Sequence, residues 1–257
     1  MARQTISIVI PALEEELGIG ATIDEIPVQE LDKLGFDTEI IVVDGNSQDR
    51  TVEVARSKGA RVFVEERKGY GRAFKTGFEE ATGNYIATVD ADATYPSKRI
   101  PELLQYLITN NLDLVSTNRF ADLQPGAMTS SHKFGNKLLT FFARMIFKVK
   151  ISDSQSGMWI FKKKLLTTIG VSSDGMSFSQ EFKIRCFQNA ACVEMPITYR
   201  PRIGKNKLNT LRDGYSNFKE LVGLVKNIDV EPLITMPQLV APVEIEQMVK
   251  VRERPSN

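Results

Sequence analysis

Two aspartates two residues apart, Asp90 and Asp92, follow the apolar run Tyr85-Ile-Ala-Thr-Val89. In an extended chain, residues i and i+2 share a face. Two carboxylates on one face repel unless a cation lies between them. Mg²⁺ takes oxygen ligands, commonly one or two carboxylates plus phosphates, and Thr94 offers a further oxygen or a supporting contact. Solvated acidic loops also contain Asp-x-Asp. The buried strand before this pair and Tyr95-Pro96 after it favour the cation site. Asp44 ends a second apolar run, Glu39-Ile-Ile-Val-Val-Asp44, before Gly-Asn-Ser. A carboxylate there can accept hydrogen bonds from a base or a ribose. The plainer alternative, an Asx turn or helix cap, fits Asn46, Ser47 and Asp49 better.

Positive charge is segregated although the net charge is only +1. No acidic residue occurs over 123–152, which holds Lys133, Lys137, Arg144, Lys148 and Lys150. On a helix the first four fall within roughly 60° of one another. Phe134, Leu138, Phe141, Phe142, Met145 and Ile146 take the opposite side. That is the pattern of an interfacial helix, and equally of an amphipathic helix packed on a sheet. A second acid-free stretch, 195–212, holds Arg200, Arg202, Lys205, Lys207 and Arg212. With Arg119 in Ser-Thr-Asn-Arg-Phe, these are candidates for binding phosphate.

Other chemistries are excluded. Gly69-Tyr-Gly71-Arg-Ala-Phe74 begins like a dinucleotide fingerprint, but the third glycine is missing and Glu-Arg-Lys separates it from the strand before. There is no P-loop. The single histidine, His132, excludes His-rich zinc sites and disfavours a Ser-His-Asp triad. Two cysteines, Cys186 and Cys192, exclude a disulfide scaffold and point to a reducing compartment. With 33 Lys and Arg against 32 Asp and Glu, a nucleic-acid binder driven by a global basic field is disfavoured. No apolar run approaches the roughly 18 residues of a membrane span, and the first residues lack a signal-peptide layout. The expectation is a cytoplasmic protein, soluble or peripheral.

The elements that must position these groups read as an α/β chain. Strand patterns at 5–11, 39–44, 60–66, 84–92 and 112–117 alternate with helical patterns at 14–33, 50–58, 71–81 and 97–109. Such alternation means a parallel sheet covered on both faces, with ligands beyond the carboxyl ends of its strands. The second half predicts helices at 132–149, 178–189 and 213–227, and strands near 158–161 and 192–198. Residues 229–257, rich in proline, read as an arm, with one strand at 243–251.

The ordered segments Pro-Ala-Leu-Glu-Glu-Glu (11–16), Val-Val-Asp-Gly-Asn-Ser-Gln-Asp-Arg-Thr (42–51), Lys-Gly-Tyr-Gly-Arg-Ala-Phe-Lys-Thr-Gly (68–77), Asp-Ala-Asp-Ala-Thr-Tyr-Pro (90–96), Asp-Ser-Gln-Ser-Gly-Met-Trp-Ile-Phe (153–161) and Arg-Pro-Arg-Ile-Gly-Lys-Asn-Lys-Leu (200–208) carry a resemblance. The chain resembles metal-dependent inverting glycosyltransferases of family 2, with the GT-A fold, and within them the dolichyl-phosphate hexose synthases. The resemblance covers residues 5–226. It implies a mostly parallel central sheet flanked by helices, forming one Rossmann-like nucleotide-sugar-binding domain over 1–228. Residues 5–120 would be the nucleotide-sugar half and 121–228 the acceptor half, with a helical extension. It places Pro11, Leu13, Glu15, Asp44 and Lys68 around the nucleotide. Asp90 and Asp92, with Thr94, would hold Mg²⁺ or Mn²⁺ and the diphosphate; Asp92, Arg119, Arg202 and Lys207 would act at the reacting phosphates. Glu14 stands where the family pattern has asparagine. The implied reaction moves a hexose from a nucleoside diphosphate to polyprenyl phosphate at the cytoplasmic face of a membrane, or beside an anchoring subunit. The Asp-Gly-Asn-Ser and Asp-Ala-Asp-Ala-Thr-Tyr-Pro variants point to UDP-glucose or UDP-N-acetylglucosamine over GDP-mannose. A saccharide hydroxyl as acceptor and a non-catalytic nucleotide-sugar-binding subunit are the alternatives. Asp153 and Glu181 are the carboxylates to inspect as a base for an alcohol.

Overall fold

The computed structural model describes residues 3–204, 210–224 and 233. The expected strand at 243–251 and Lys207 lie outside the described residues. Seven strands form one sheet: β1 Gln4–Ala12, β2 Phe36–Asp44, β3 Arg61–Val64, β4 Tyr85–Thr88, β5 Leu114–Leu123, β6 Trp159–Lys162 and β7 Cys192–Tyr199. Their order is β3-β2-β1-β4-β6-β5-β7. β6 runs antiparallel to both β4 and β5, and the other pairings are parallel. The sheet is therefore mostly parallel with one reversed strand, where the first half alone suggested a parallel one.

The helices are α1 Ile19–Asp24, α2 Val28–Lys33, α3 Thr51–Ser57, α4 Tyr70–Glu80, α5 Ile100–Thr109, α6 Ser130–Phe147, α7 Phe178–Asn189 and α8 Thr210–Gly223. Alternation along β1 sorts the core. Ile6, Ile8 and Ile10 meet Leu31 of α2 and Leu103, Leu104 and Leu107 of α5 on one face. Val9, on the other face, joins Phe74 and Phe78 of α4 and Phe178 and Phe182 of α7. A half-polar sheet face would not be buried this way; burial of both faces explains the near-continuous apolar strands. Trp159 is core, fully buried and stacked on Phe182 at 5.2 Å.

Two expected elements change. The helix at 14–33 becomes a loop followed by α1 and α2, broken before Pro27, which lacks the N–H that a continuous helix needs. The fourth strand stops at Thr88, so Asp90 and Asp92 lie past the strand and not within it. Asp92 sits in a turn closed by its own side chain: its Oδ1 accepts from Thr94 N (3.2 Å) and Thr94 Oγ1 (2.7 Å). The two carboxylates are gathered by turn geometry, not by the two-residue repeat of a strand.

Candidate active site

A cleft of about 770 Å³ opens beyond the carboxyl ends of β1, β2 and β4. Pro11, Leu13, Glu15, Lys68, Asp90, Asp92, Thr94, Arg119 and Arg202 all line it. These residues come from five separate segments, and only the fold brings them together. Asp44 stands behind the wall. It is fully buried, and its two oxygens accept from Ser47 N (2.8 Å) and Ser47 Oγ (2.6 Å). Asp49 makes the expected Asx turn, accepting from Thr51 N at 2.9 Å, and Asp44 closes a second, wider turn through Ser47; Gly45 and Asn46 of that turn reach the cleft.

The acidic turn is pinned from two sides. Thr22 of α1 receives Ala93 N at 2.9 Å. Across from it, Asp92 O accepts from Ile203 N (2.9 Å) and Thr94 O from Arg200 N (3.1 Å), so the segment after β7 is zipped to the turn. This delivers Arg202, whose Nη2 lies 2.6 Å from Glu15 Oε1 and 3.4 Å from Asp92 Oδ2. Thr94 spends its hydroxyl on Asp92, the supporting contact of the two roles expected for it.

Asp90 is short of positive charge. Burial and the neighbouring Asp92 push its carboxyl up to about 7, against the opposing pull of Tyr70, Arg119 and Arg202. A divalent cation between the two carboxylates would reverse that penalty. Among the described residues no group of three or more His, Cys, Asp or Glu side chains is placed to hold a metal. Two carboxylates, leaving the remaining positions to phosphate oxygens and water, are a donor set that Mg²⁺ or Mn²⁺ accepts. The residues present fit the ion.

Within the same cleft a buried charge cluster holds Arg119. The register of β5 against β7 shifts between Asn118 and Asp122, and such irregularities re-aim side chains near sites. Arg119 grips Asp153 through Nε (2.7 Å) and Nη2 (2.8 Å), and its guanidinium lies over Tyr199 at 5.3 Å. Burial works against the Asp153 charge, but Arg119 outweighs it and holds the carboxyl below its usual range. Lys183, fully buried, donates to the main-chain oxygens of Asp153 (2.7 Å) and Ser156 (2.9 Å). Glu181 is also occupied: it accepts from Ser172 N (3.0 Å), Ser173 N (2.9 Å) and Arg185. Neither Asp153 nor Glu181 is poised as a base.

Burial pushes the Lys183 ammonium down to about 7 from an ordinary 10.5. The folded protein therefore releases this proton before the unfolded chain does. Stability rises with pH wherever the unfolded state holds more protons. Denaturant unfolding is expected to show wild type gaining stability relative to Lys183→Met as pH climbs from about 7 towards 10.5. Parallel profiles for the two proteins would contradict it.

Sequence reasoning missed Tyr70 and the tightness at Gly157. The Tyr70 hydroxyl donates to Asp90 Oδ1 at 2.7 Å. Gly157 N donates to the Tyr95 hydroxyl at 2.6 Å. The only sequence signals were the glycines around Tyr70 and the Ser156-Gly157 pair.

Residues 7–170 match the family described as glycosyl transferase family 2. A low-salt glycan biosynthesis hexosyltransferase, Agl6, of Haloferax volcanii is 36% identical over 84% of this chain; the chain spans 52% of that protein. A dolichyl-phosphate hexose transferase of the same organism is 31% identical over 84% of this chain and 92% of its own. In fold, glucosyl-3-phosphoglycerate synthase of Mycobacterium tuberculosis, solved with Mn²⁺, UDP and glucosyl-3-phosphoglycerate, matches with a TM-score of 0.68. It is 24% identical, over 86% of this chain and 80% of that one. The GT-A architecture expected from the resemblance is the one observed.

Proposed function

On the premise that the chain belongs to glycosyl transferase family 2, we propose that it transfers a hexose from a UDP-sugar to a polyprenyl phosphate with inversion at the anomeric carbon. The observation that carries this reading is the state of Asp153 and Glu181, the two carboxylates to inspect as a base for an alcohol. Asp153 is neutralised by Arg119 and Glu181 is held by its own loop. An alcohol acceptor needs a base to take its proton. A phosphate monoester, with a second pKa of about 6, is mostly dianionic at neutral pH and needs none. The dolichyl-phosphate hexose transferase among the relatives supports the same acceptor.

In this scheme Pro11, Leu13, Glu15 and Lys68 border the nucleotide, with Asp44 bracing the Gly45-Asn46 turn behind it. Asp90 and Asp92 would hold Mg²⁺ or Mn²⁺, which offsets the charge that collects on a departing diphosphate. Arg202 exchanges its Glu15 contact for the diphosphate. Lys207 follows it in the same basic stretch and serves the same phosphates. Arg119 orients the acceptor phosphate. An oxygen of that phosphate bonds to the anomeric carbon as the bond from that carbon to the β-phosphate oxygen breaks, and UDP leaves with the electron pair.

The acceptor is a lipid, and α6 suits a bilayer surface. Leu139 and Ala143 are buried, and Ala143 clusters with Ile184 of α7 and Leu221 of α8. Phe134, Phe141 and Met145 are 69%, 53% and 62% exposed. Lys133, Lys137 and Arg144 are exposed beside them and not, as expected, behind them. Among the described residues no helix is long and apolar enough to cross a membrane. Exposed aromatic groups next to lysines match an anionic membrane surface.

One assay tests both parts. Radiolabelled UDP-glucose, UDP-N-acetylglucosamine and GDP-mannose are offered with polyprenyl phosphate in anionic vesicles and in detergent. Label from one donor is expected in the lipid phase; label that never becomes lipid-linked counts against the acceptor. Replacing Phe134, Phe141 and Met145 together by serine is expected to lower transfer to vesicle-borne acceptor on the order of 10²-fold, from lost apolar burial. Transfer in detergent should persist. Equal activity in vesicles would reject the role of α6.

A further inference from the structure

Gly69-Tyr70-Gly71 is no dinucleotide fingerprint, and the nucleotide reading of the cleft does not explain it either. Gly69 has φ 138°, and a Cβ there would lie 2.1 Å from the Asp174 carbonyl oxygen. A Cβ on Gly71 would lie 2.5 Å from Phe178 Cβ. The two glycines therefore let the first turn of α4 press against the loop entering α7. Gly71 N donates to Gly175 O (3.2 Å) and Arg72 N to Asp174 O (3.1 Å), which fixes that contact.

The Tyr70 ring is held edge-on by Phe74 at 4.8 Å, and Phe74 stacks on Phe178 at 5.6 Å. The hydroxyl then meets Asp90 Oδ1. A third glycine clears the remaining side. A Cβ on Gly157 would sit 2.8 Å from the Tyr70 hydroxyl and 3.0 Å from Asp90 Oδ1. Gly157 is tied to the end of β4 through Thr88 Oγ1, which donates to its carbonyl at 2.7 Å. Gly157 thus adjoins the O–H···O bond itself, while Gly69 and Gly71 seat the turn that carries Tyr70.

The geometry assigns Tyr70 as a positioning residue for the divalent ion: its hydroxyl holds the Asp90 carboxylate in one orientation through Oδ1 and leaves the remaining acceptor capacity of that group to the ion. This rests on the reading that Asp90 and Asp92 hold the metal. Hydrogen bonds that orient a metal-ligating side chain typically matter about 10–100-fold in metal affinity.

The test is Tyr70→Phe, which removes one oxygen and keeps the ring packing. Mn²⁺ is titrated into wild type and variant with UDP present, following free Mn²⁺ by electron paramagnetic resonance. The expected result is a Kd for Mn²⁺ raised about 10–100-fold. The Mn²⁺ concentration for half-maximal turnover should rise in parallel, and the rate at saturating Mn²⁺ should return towards wild type. A role confined to packing would instead lower Tm in the absence of metal and leave the Mn²⁺ Kd alone, which would overturn the assignment. Should wild type itself take up no Mn²⁺ with UDP, the metal reading of Asp90 and Asp92 fails and this inference with it. If wild type binds and Tyr70→Phe binds equally well, the role of Tyr70 alone is rejected.

Discussion

Asp92→Asn is expected to lower the rate of hexose transfer at saturating donor by about 10²–10³-fold, the usual cost of removing one element that stabilises developing charge. The substitution keeps the shape of the side chain and an oxygen for Thr94. What it removes is a negative charge 3.4 Å from Arg202 and beside a second carboxylate. The same change should leave the metal-free protein as stable as wild type or more so. Asp92 is one of the two causes that raise the Asp90 carboxyl, and without it that strain falls. Opposite effects on rate and stability would mark a site built for a ligand at the expense of the empty protein. Initial rates and a thermal melt without metal measure the two sides. A variant with wild-type turnover would mean that this charge takes no part in the chemistry, and would favour a nucleotide-sugar-binding role without catalysis.

Asp153→Ala should be the most damaging single change to the fold. Arg119 and Lys183 are 6% and 0% exposed, and Asp153 carries the negative charge that they share. Removing one partner of a buried ion pair leaves an uncompensated charge in low dielectric, at about 3–5 kcal/mol. For a chain of this size that corresponds to a fall in Tm of roughly 6–20 °C. Surface pairs such as Arg50–Glu53, both about two-thirds exposed, should by contrast matter little when broken. Denaturant unfolding of Asp153→Ala beside Glu53→Ala checks the contrast. A loss below about 1 kcal/mol, the scale of a surface pair, would mean that Arg119 swings out to water and is not held by the core.

Much of this was written in local patterns. Apolar runs with β-branched residues marked the strands, and the helical repeat marked α4, α5 and α7 close to their observed ends. Asp90, Asp92, Arg119 and Arg202 were legible because charged groups within or just past buried strands are costly without a purpose. Other features resisted for definite reasons. The repeat along α6 gives an apolar arc wider than one neighbour can cover. Only the docking of α7 and α8 decides that Leu139 and Ala143 go inward while Phe134 and Phe141 stay out. Similarly, β6 looks like any apolar strand, and its reversed direction shows only in its pairing with β4 and β5.

The sequence by itself determined the class of sheet, the acidic and basic groups of the cleft and the family, because periodicity, charge and motif order are properties of near neighbours along the chain. The tertiary structure alone decided that Tyr70 faces Asp90, that Arg119 and Lys183 share Asp153, and that Asp44 is turned into its own loop. Those pairings join residues up to 34 positions apart, and which of the possible partners meet is set by close packing of the whole core.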